Sequence, residues 1–145
     1  MPRSLAMVGR MYELTEEASV AASVDVVWAD FTDATALAEW IWPPRFETTA
    51  VVDPRPRGAW ELRSEVAGLA VLATVTAADA PRSLQLAWRW EGEPHTTDVE
   101  ITLQPAADDA TRVEVRHSGF ESGEERESHV EGWSNCIGRL VERHA

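Results

Sequence analysis

Between Ala59 and His117 the chain alternates apolar and polar residues in short stretches, and after Ser122 the spacing of apolar residues changes from every second position to a helical one. The alternating stretches predict strands. Ala59 to Glu65 places Trp60, Leu62 and Ser64 on one face, and Leu69 to Ala77 is apolar nearly throughout. Leu84, Leu86, Trp88 and Trp90 then share a face, as do Val99, Ile101 and Leu103, and Val113, Val115 and His117. Upstream, Tyr12 to Val20 reads as a first strand and Phe46 to Val52 as a second. Between them, Ser23 and Asp33 can cap two short helices, Val24 to Phe31 and Ala34 to Trp40, and Pro43-Pro44 ends the second.

The closing stretch predicts one long helix. Ser122 followed three residues later by Glu125 is a capping box, so the helix starts near Gly123. Glutamates crowd its first turns and Arg139, Arg143 and His144 its last, the order that a helix dipole favours. Val130, Trp133, Ile137, Leu140 and Val141 form its apolar stripe, with His129 and Cys136 on the flank. Gly132 sits at the edge of that stripe; it costs up to about 1 kcal/mol relative to alanine, a cost that close approach of another backbone would explain. Strands joined by short turns make an antiparallel sheet, and a sheet with one apolar face needs a cover. The expected fold is therefore α+β: a curved seven-stranded antiparallel sheet, two short helices after the first strand, and the long C-terminal helix across the concave face. A cavity between sheet and helix follows if the helix leaves part of that face bare.

Composition narrows the function. The 145 residues suit a single domain, expected over residues 11–145 after a disordered tail at 1–10. Acidic residues outnumber basic ones 25 to 13, and the net charge of −12 argues against nucleic acid and membrane surfaces as partners. All the basic residues are arginine. The N-terminus lacks the apolar run of a signal peptide and no stretch is long enough to span a bilayer, so the expected location is cytoplasmic. Cys136 is the one cysteine, which excludes an intrachain disulfide.

The chain holds seven tryptophans, and the periodicity points Trp60, Trp88, Trp90 and Trp133 inward. Such rings either fill a large interior or line a pocket with their N–H groups turned to a ligand. His117 continues an inward register and is either a hydrogen-bonded core histidine or a ligand-binding, proton-moving one. The histidines show no metal-ligand spacing, and there is no nucleophile elbow, phosphate loop or dinucleotide fingerprint. The expectation is no metal, no cofactor and no catalytic residue.

VDVVWADFTDATALAEWIWP, PRPRGAWELRSE, PRSLQLAWRWEG and, most specifically, TRVEVRHSGFESGEE with HVEGWSNCIGRL resemble the heat-shock protein 90 ATPase activator homologue family of the START-like (SRPBCC) superfamily. The resemblance covers about residues 12 to 143. It implies a helix-grip fold with a ligand-sized cavity in or around which Trp40, Trp42, Trp60, Trp88, His117, Phe120 and Trp133 lie; periodicity adds Ser64, Trp90 and Ile137. Trp42 stands where many members have a glycine, a departure that would narrow the cavity mouth.

Three functions follow as expectations. The leading one is non-enzymatic binding of a small hydrophobic or aromatic molecule. The second is a cyclase- or aromatase-like reaction on a polyketide, with His117 as acid/base and Ser64 or Glu16 as a second polar group. The third is a protein-interaction or co-chaperone-like role for which no partner can be named, with homodimerisation through an edge strand as one form.

Overall fold

The structure is a computed structural model that describes residues 12–145, so the tail assigned to residues 1–10 lies outside the described residues. Seven strands form one antiparallel sheet: β1 (Leu14–Val20), β2 (Thr49–Val52), β3 (Ala59–Ser64), β4 (Leu69–Asp79), β5 (Ser83–Trp88), β6 (Thr97–Ala106) and β7 (Ala110–Ser118). Their order is β1-β7-β6-β5-β4-β3-β2. Apart from the pairing of β1 with β7, each strand lies beside its sequence neighbour, as short turns require. Two helices, α1 (Val24–Thr32) and α2 (Ala34–Trp40), follow β1, and α3 (Gly123–Arg143) closes the chain. This is the α+β arrangement that the residue pattern predicted, and the helix-grip fold that the family resemblance implied. No helix among the described residues is long and apolar enough to cross a membrane.

The caps act where the sequence placed them. Ser23 Oγ accepts from Val26 N at 3.4 Å, Asp33 Oδ1 from Thr35 N at 3.1 Å, and Ser122 Oγ from Glu125 N at 3.1 Å. Each satisfies a backbone donor that a first helical turn leaves open. The alternating residues bury as predicted: Leu84, Leu86, Val99, Ile101, Leu103, Val113 and Val115 all face the core.

Four local expectations change. Phe46 does not begin a strand, because Pro43 and Pro44 start a 3-10 turn over Pro44–Phe46 and Glu47 then takes a left-handed φ of 50°; β2 starts only at Thr49. β5 ends at Trp88, and Trp90 makes an isolated bridge to Val71. Cys136 lies within the buried stripe of α3, while Val130 and Val141 are only partly covered. No backbone approaches Gly132: a Cβ there would meet nothing within 4 Å.

Candidate functional site

The two halves of α3 meet different surroundings. Along its C-terminal half, Leu140 packs into the core formed with Phe31, Leu37 and Trp40. Along its N-terminal half, Gly132 and Trp133 form one wall of an open cleft of about 650 Å³. Trp88, Trp90 and the start of β4 at Leu69 and Ala70 form the opposite side, and Ile41 and Trp42, just after α2, close one end. Gly132 matters here for what it lacks, since it lines the cleft and a Cβ there would meet nothing within 4 Å.

Arginine 139 places the Trp42 end. Its Nε donates to Trp40 O at 3.1 Å and its Nη2 to Ile41 O at 2.8 Å, so it caps the carbonyls that α2 leaves open and ties that segment to α3. Trp42 then lies parallel to Trp90, with ring centroids 6.3 Å apart and planes at 6°. Trp88 is the hub of the aromatic cluster, 5.5 Å from Trp133, 5.8 Å from Trp60 and Trp90, and 5.4 Å from His117.

The indole N–H groups separate these tryptophans by role. Trp40 donates to Asp30 O and Trp60 to Phe31 O, each at 2.9 Å, so both anchor α1 to the interior. Trp133 donates to His117 Nδ1 and Trp90 to His129 Nε2, each at 3.0 Å. Trp88, only 5% exposed, has a buried Nε1 with no partner. An unpaired buried donor is uncommon in a folded protein and costs about 1–3 kcal/mol.

His117 is a core residue with no exposure. An indole can only donate, so Nδ1 is an acceptor and the proton sits on Nε2, 2.7 Å from Thr97 Oγ1. That hydroxyl lies in turn 3.5 Å from Trp88 O. Burial, with a smaller contribution from His129, pushes the His117 pKa down to about 3. A neutral imidazole with both nitrogens bonded inside the core is a structural link between β7, β6 and α3. His129 repeats the pattern at the cleft: Nε2 accepts from Trp90, so Nδ1 carries the proton and donates to Glu125 O at 2.9 Å. Helical periodicity put His129 on the flank of α3, and nothing in the local sequence marked it as a partner for Trp90.

Carboxylates crowd the mouth. Glu91, Glu93 and Glu125 line it, and Arg63 holds Glu91 through two bonds of 3.1 and 2.8 Å. That pairing lowers the Glu91 pKa. His95 also lines the cleft, with Nδ1 3.7 Å from Glu121 and Nε2 3.5 Å from Glu125. Both contacts are too long for hydrogen bonds, and Nε2 is buried without a partner. Ligand atoms of His95, Glu121 and Glu125 lie within 4.8 Å of one another, the one such histidine and carboxylate group among the described residues. The trio joins a loop to a helix start, which no spacing motif records. Cys136 completes the apolar wall; burial, opposed in part by Arg139, pushes its thiol up to about 11.

Of the residues named from sequence, Trp42, Trp88, Trp90 and Trp133 line the cleft. Trp40, Trp60, Phe120 and Ile137 are buried in the core around it, and His117 supports its floor from behind. Ser64 Oγ is spent on the turns, donating to Phe46 O at 2.6 Å and accepting from Ala67 N at 3.0 Å. Glu16 is half-buried on β1 opposite Val115.

Residues 21–145 match the family model described as Activator of Hsp90 ATPase homolog 1-like protein. Among solved structures, the chain is similar to a protein from Chromobacterium violaceum, with a TM-score of 0.80 and 20% identity over 92% of this chain and 97% of that one. It is similar to an HSP90 activator from Plasmodium falciparum, with a TM-score of 0.73 and 18% identity over 88% of this chain and 92% of that one. It is also similar to DynU16, a protein in the dynemicin biosynthetic locus, with a TM-score of 0.78 and 24% identity over 90% of this chain but 46% of that one. At these identities the likeness speaks for the fold alone. No curated protein matches the sequence.

Proposed function

The chain belongs to the Activator of Hsp90 ATPase homolog 1-like family, and from that premise we propose that it binds a small hydrophobic or aromatic molecule in the tryptophan-walled cleft without turning it over. One observation carries this reading. Among the described residues, three buried side-chain polar atoms lack a partner, Thr48 Oγ1, Trp88 Nε1 and His95 Nε2, and two of the three belong to residues that line the cleft. A ligand that supplies polar groups to them makes bonds that the protein's own side chains do not. The aromatic walls supply area for its apolar part.

The cyclase-like alternative depends on His117, which has no exposure and spends both nitrogens inside the core. A surface role of the kind the family description names would draw on exposed apolar residues. Those found, Val26, Val51, Val66 and Leu69, fall on α1, β2, the β3–β4 turn and the start of β4. No shared element favours that reading.

Calorimetric titration with 1-naphthalenemethanol, a neutral bicyclic aromatic, tests the proposal. Saturable binding is expected, and Gly132→Leu, whose Cβ meets no atom within 4 Å, should abolish it while leaving cooperative unfolding intact. Absence of binding, or equal binding by the variant, overturns it.

A further inference from the structure

We infer that the cleft selects for positive charge, taking an aromatic amine with its ring against the tryptophans and its ammonium group at the Glu93 and Glu125 rim. This rests on the ligand-binding reading and adds the chemical class.

The charges lining the cleft are of one sign. No arginine lines it, and the chain contains no lysine. Arg63 and Arg89 alternate with the inward Trp60, Leu62, Trp88 and Trp90, so they extend from the other face of the sheet. At the mouth Arg63 takes the Glu91 carboxylate, and Arg89 donates to the Glu93 carbonyl at 3.3 Å. Neither reaches into the cleft. The bond from Trp90 occupies His129 Nε2. The carboxylates of Glu93 and Glu125 therefore meet no arginine within the cleft, and Glu121 adds a third charge beside His95.

Aromatic faces attract the same sign. Trp42, Trp90 and Trp133 offer electron-rich rings to a cation, an attraction that strengthens when water is excluded. The unpaired Nε2 of His95, 3.5 Å from Glu125 Oε1, is positioned to accept one ammonium proton while the carboxylate accepts another. A fatty acid or aryl carboxylate would meet these groups with the wrong charge, and the chain's net charge of −12 disfavours its approach from a distance. His95, Glu121 and Glu125 also bring ligand atoms within 4.8 Å of one another, so a divalent metal is the competing occupant that the test includes.

Three isosteres distinguish the outcomes: 1-naphthylmethylamine, 1-naphthalenemethanol and 1-naphthoate, titrated calorimetrically at pH 8 and moderate salt. The amine should bind about tenfold tighter than the alcohol, with the carboxylate weakest. In a Glu93→Gln/Glu125→Gln double variant the amine-to-alcohol ratio should fall several-fold, to the remainder that the aromatic faces supply. Equal affinities in the wild type, or a ratio that the double variant retains, overturn charge selection and leave the hydrophobic cleft standing. Failure of all three to bind overturns both. Saturable zinc binding that His95→Ala removes, with no amine preference, reassigns the rim to a metal ion and also overturns the inference.

Discussion

The C-terminal half of α3 lies over an interior whose polar groups are spoken for, and the N-terminal half over one with polar capacity to spare. In the first, the buried Asp30 carboxylate accepts from Arg143 Nε at 3.0 Å and pairs with His144 Nε2 at 2.7 Å, while Arg143 Nη2 reaches Glu39 at 2.8 Å. Trp40 and Trp60 donate to carbonyls of α1. In the second, Trp88 Nε1 and His95 Nε2 find no partner. The same kind of side chain thus closes a core at one end and lines an open cleft at the other, and what separates them is where the indole N–H goes.

The closed half offers the largest way to break this contrast. Asp30→Ala leaves Arg143 and His144 without their shared acceptor and should lower unfolding free energy by about 3 kcal/mol in a urea titration. A smaller loss, under about 1 kcal/mol, would mean that the docking of α1 on α3 rests on apolar contact alone.

Acid should act on the open half. His117 has its pKa pushed from 6.5 down to about 3 in the folded state, so between those values the unfolded chain binds the extra proton. Its contribution is complete above about pH 6.5 and declines as pH falls toward 3, by about 2 kcal/mol on reaching pH 5. Urea titrations from pH 7 to 5 should show that decline, and His117→Gln should flatten it while lowering stability at pH 7. An unchanged slope in the variant would assign the acid sensitivity to other groups.

A paired substitution tests the indole comparison directly. Trp60→Phe strips the donor from the Phe31 carbonyl and should cost about 1.5 kcal/mol. Trp88→Phe removes an N–H that had no partner and should cost less than that, while weakening ligand binding. Equal costs would show that ring volume, not the N–H, governs both sites. The smallest effect is a gain: Gly132→Ala should raise stability by about 0.7 kcal/mol, since a glycine in an open helical position loses backbone entropy for no contact.

The fold was legible because its signals are local. Ser23, Asp33 and Ser122 announce helix starts by side-chain chemistry that acts within three residues, and the alternation around Leu84, Val99 and Val113 fixes strand faces through the pleat. Trp88, Trp90 and Trp133 were also visible as inward rings, whereas Trp42 came into view only through the family resemblance and the inward Trp60 lies in the core outside the cleft. Hydrogen-bond partners were not visible. Trp90 meets His129 from 39 residues away and Trp133 meets His117 from 16, pairings that depend on which way a sheet curves under a helix. Glu125 illustrates the limit within one residue: as the third residue of a capping box it reads as a helix-start device, yet its carboxylate lies 3.5 Å from His95 across the cleft mouth. Gly132 read as a close-packing glycine because sequence records the missing side chain without recording what stands opposite.

For the ligand binding proposed above, the bonds from Trp90 and Trp133 to the two histidines would also set the thermodynamics of capture. An indole free to swing loses rotamer freedom when a guest settles against it, and that loss subtracts from affinity. Here both rings are tethered at their nitrogens before anything arrives. The walls are pre-organised, so what a guest must give up on entry is chiefly its own freedom and its water.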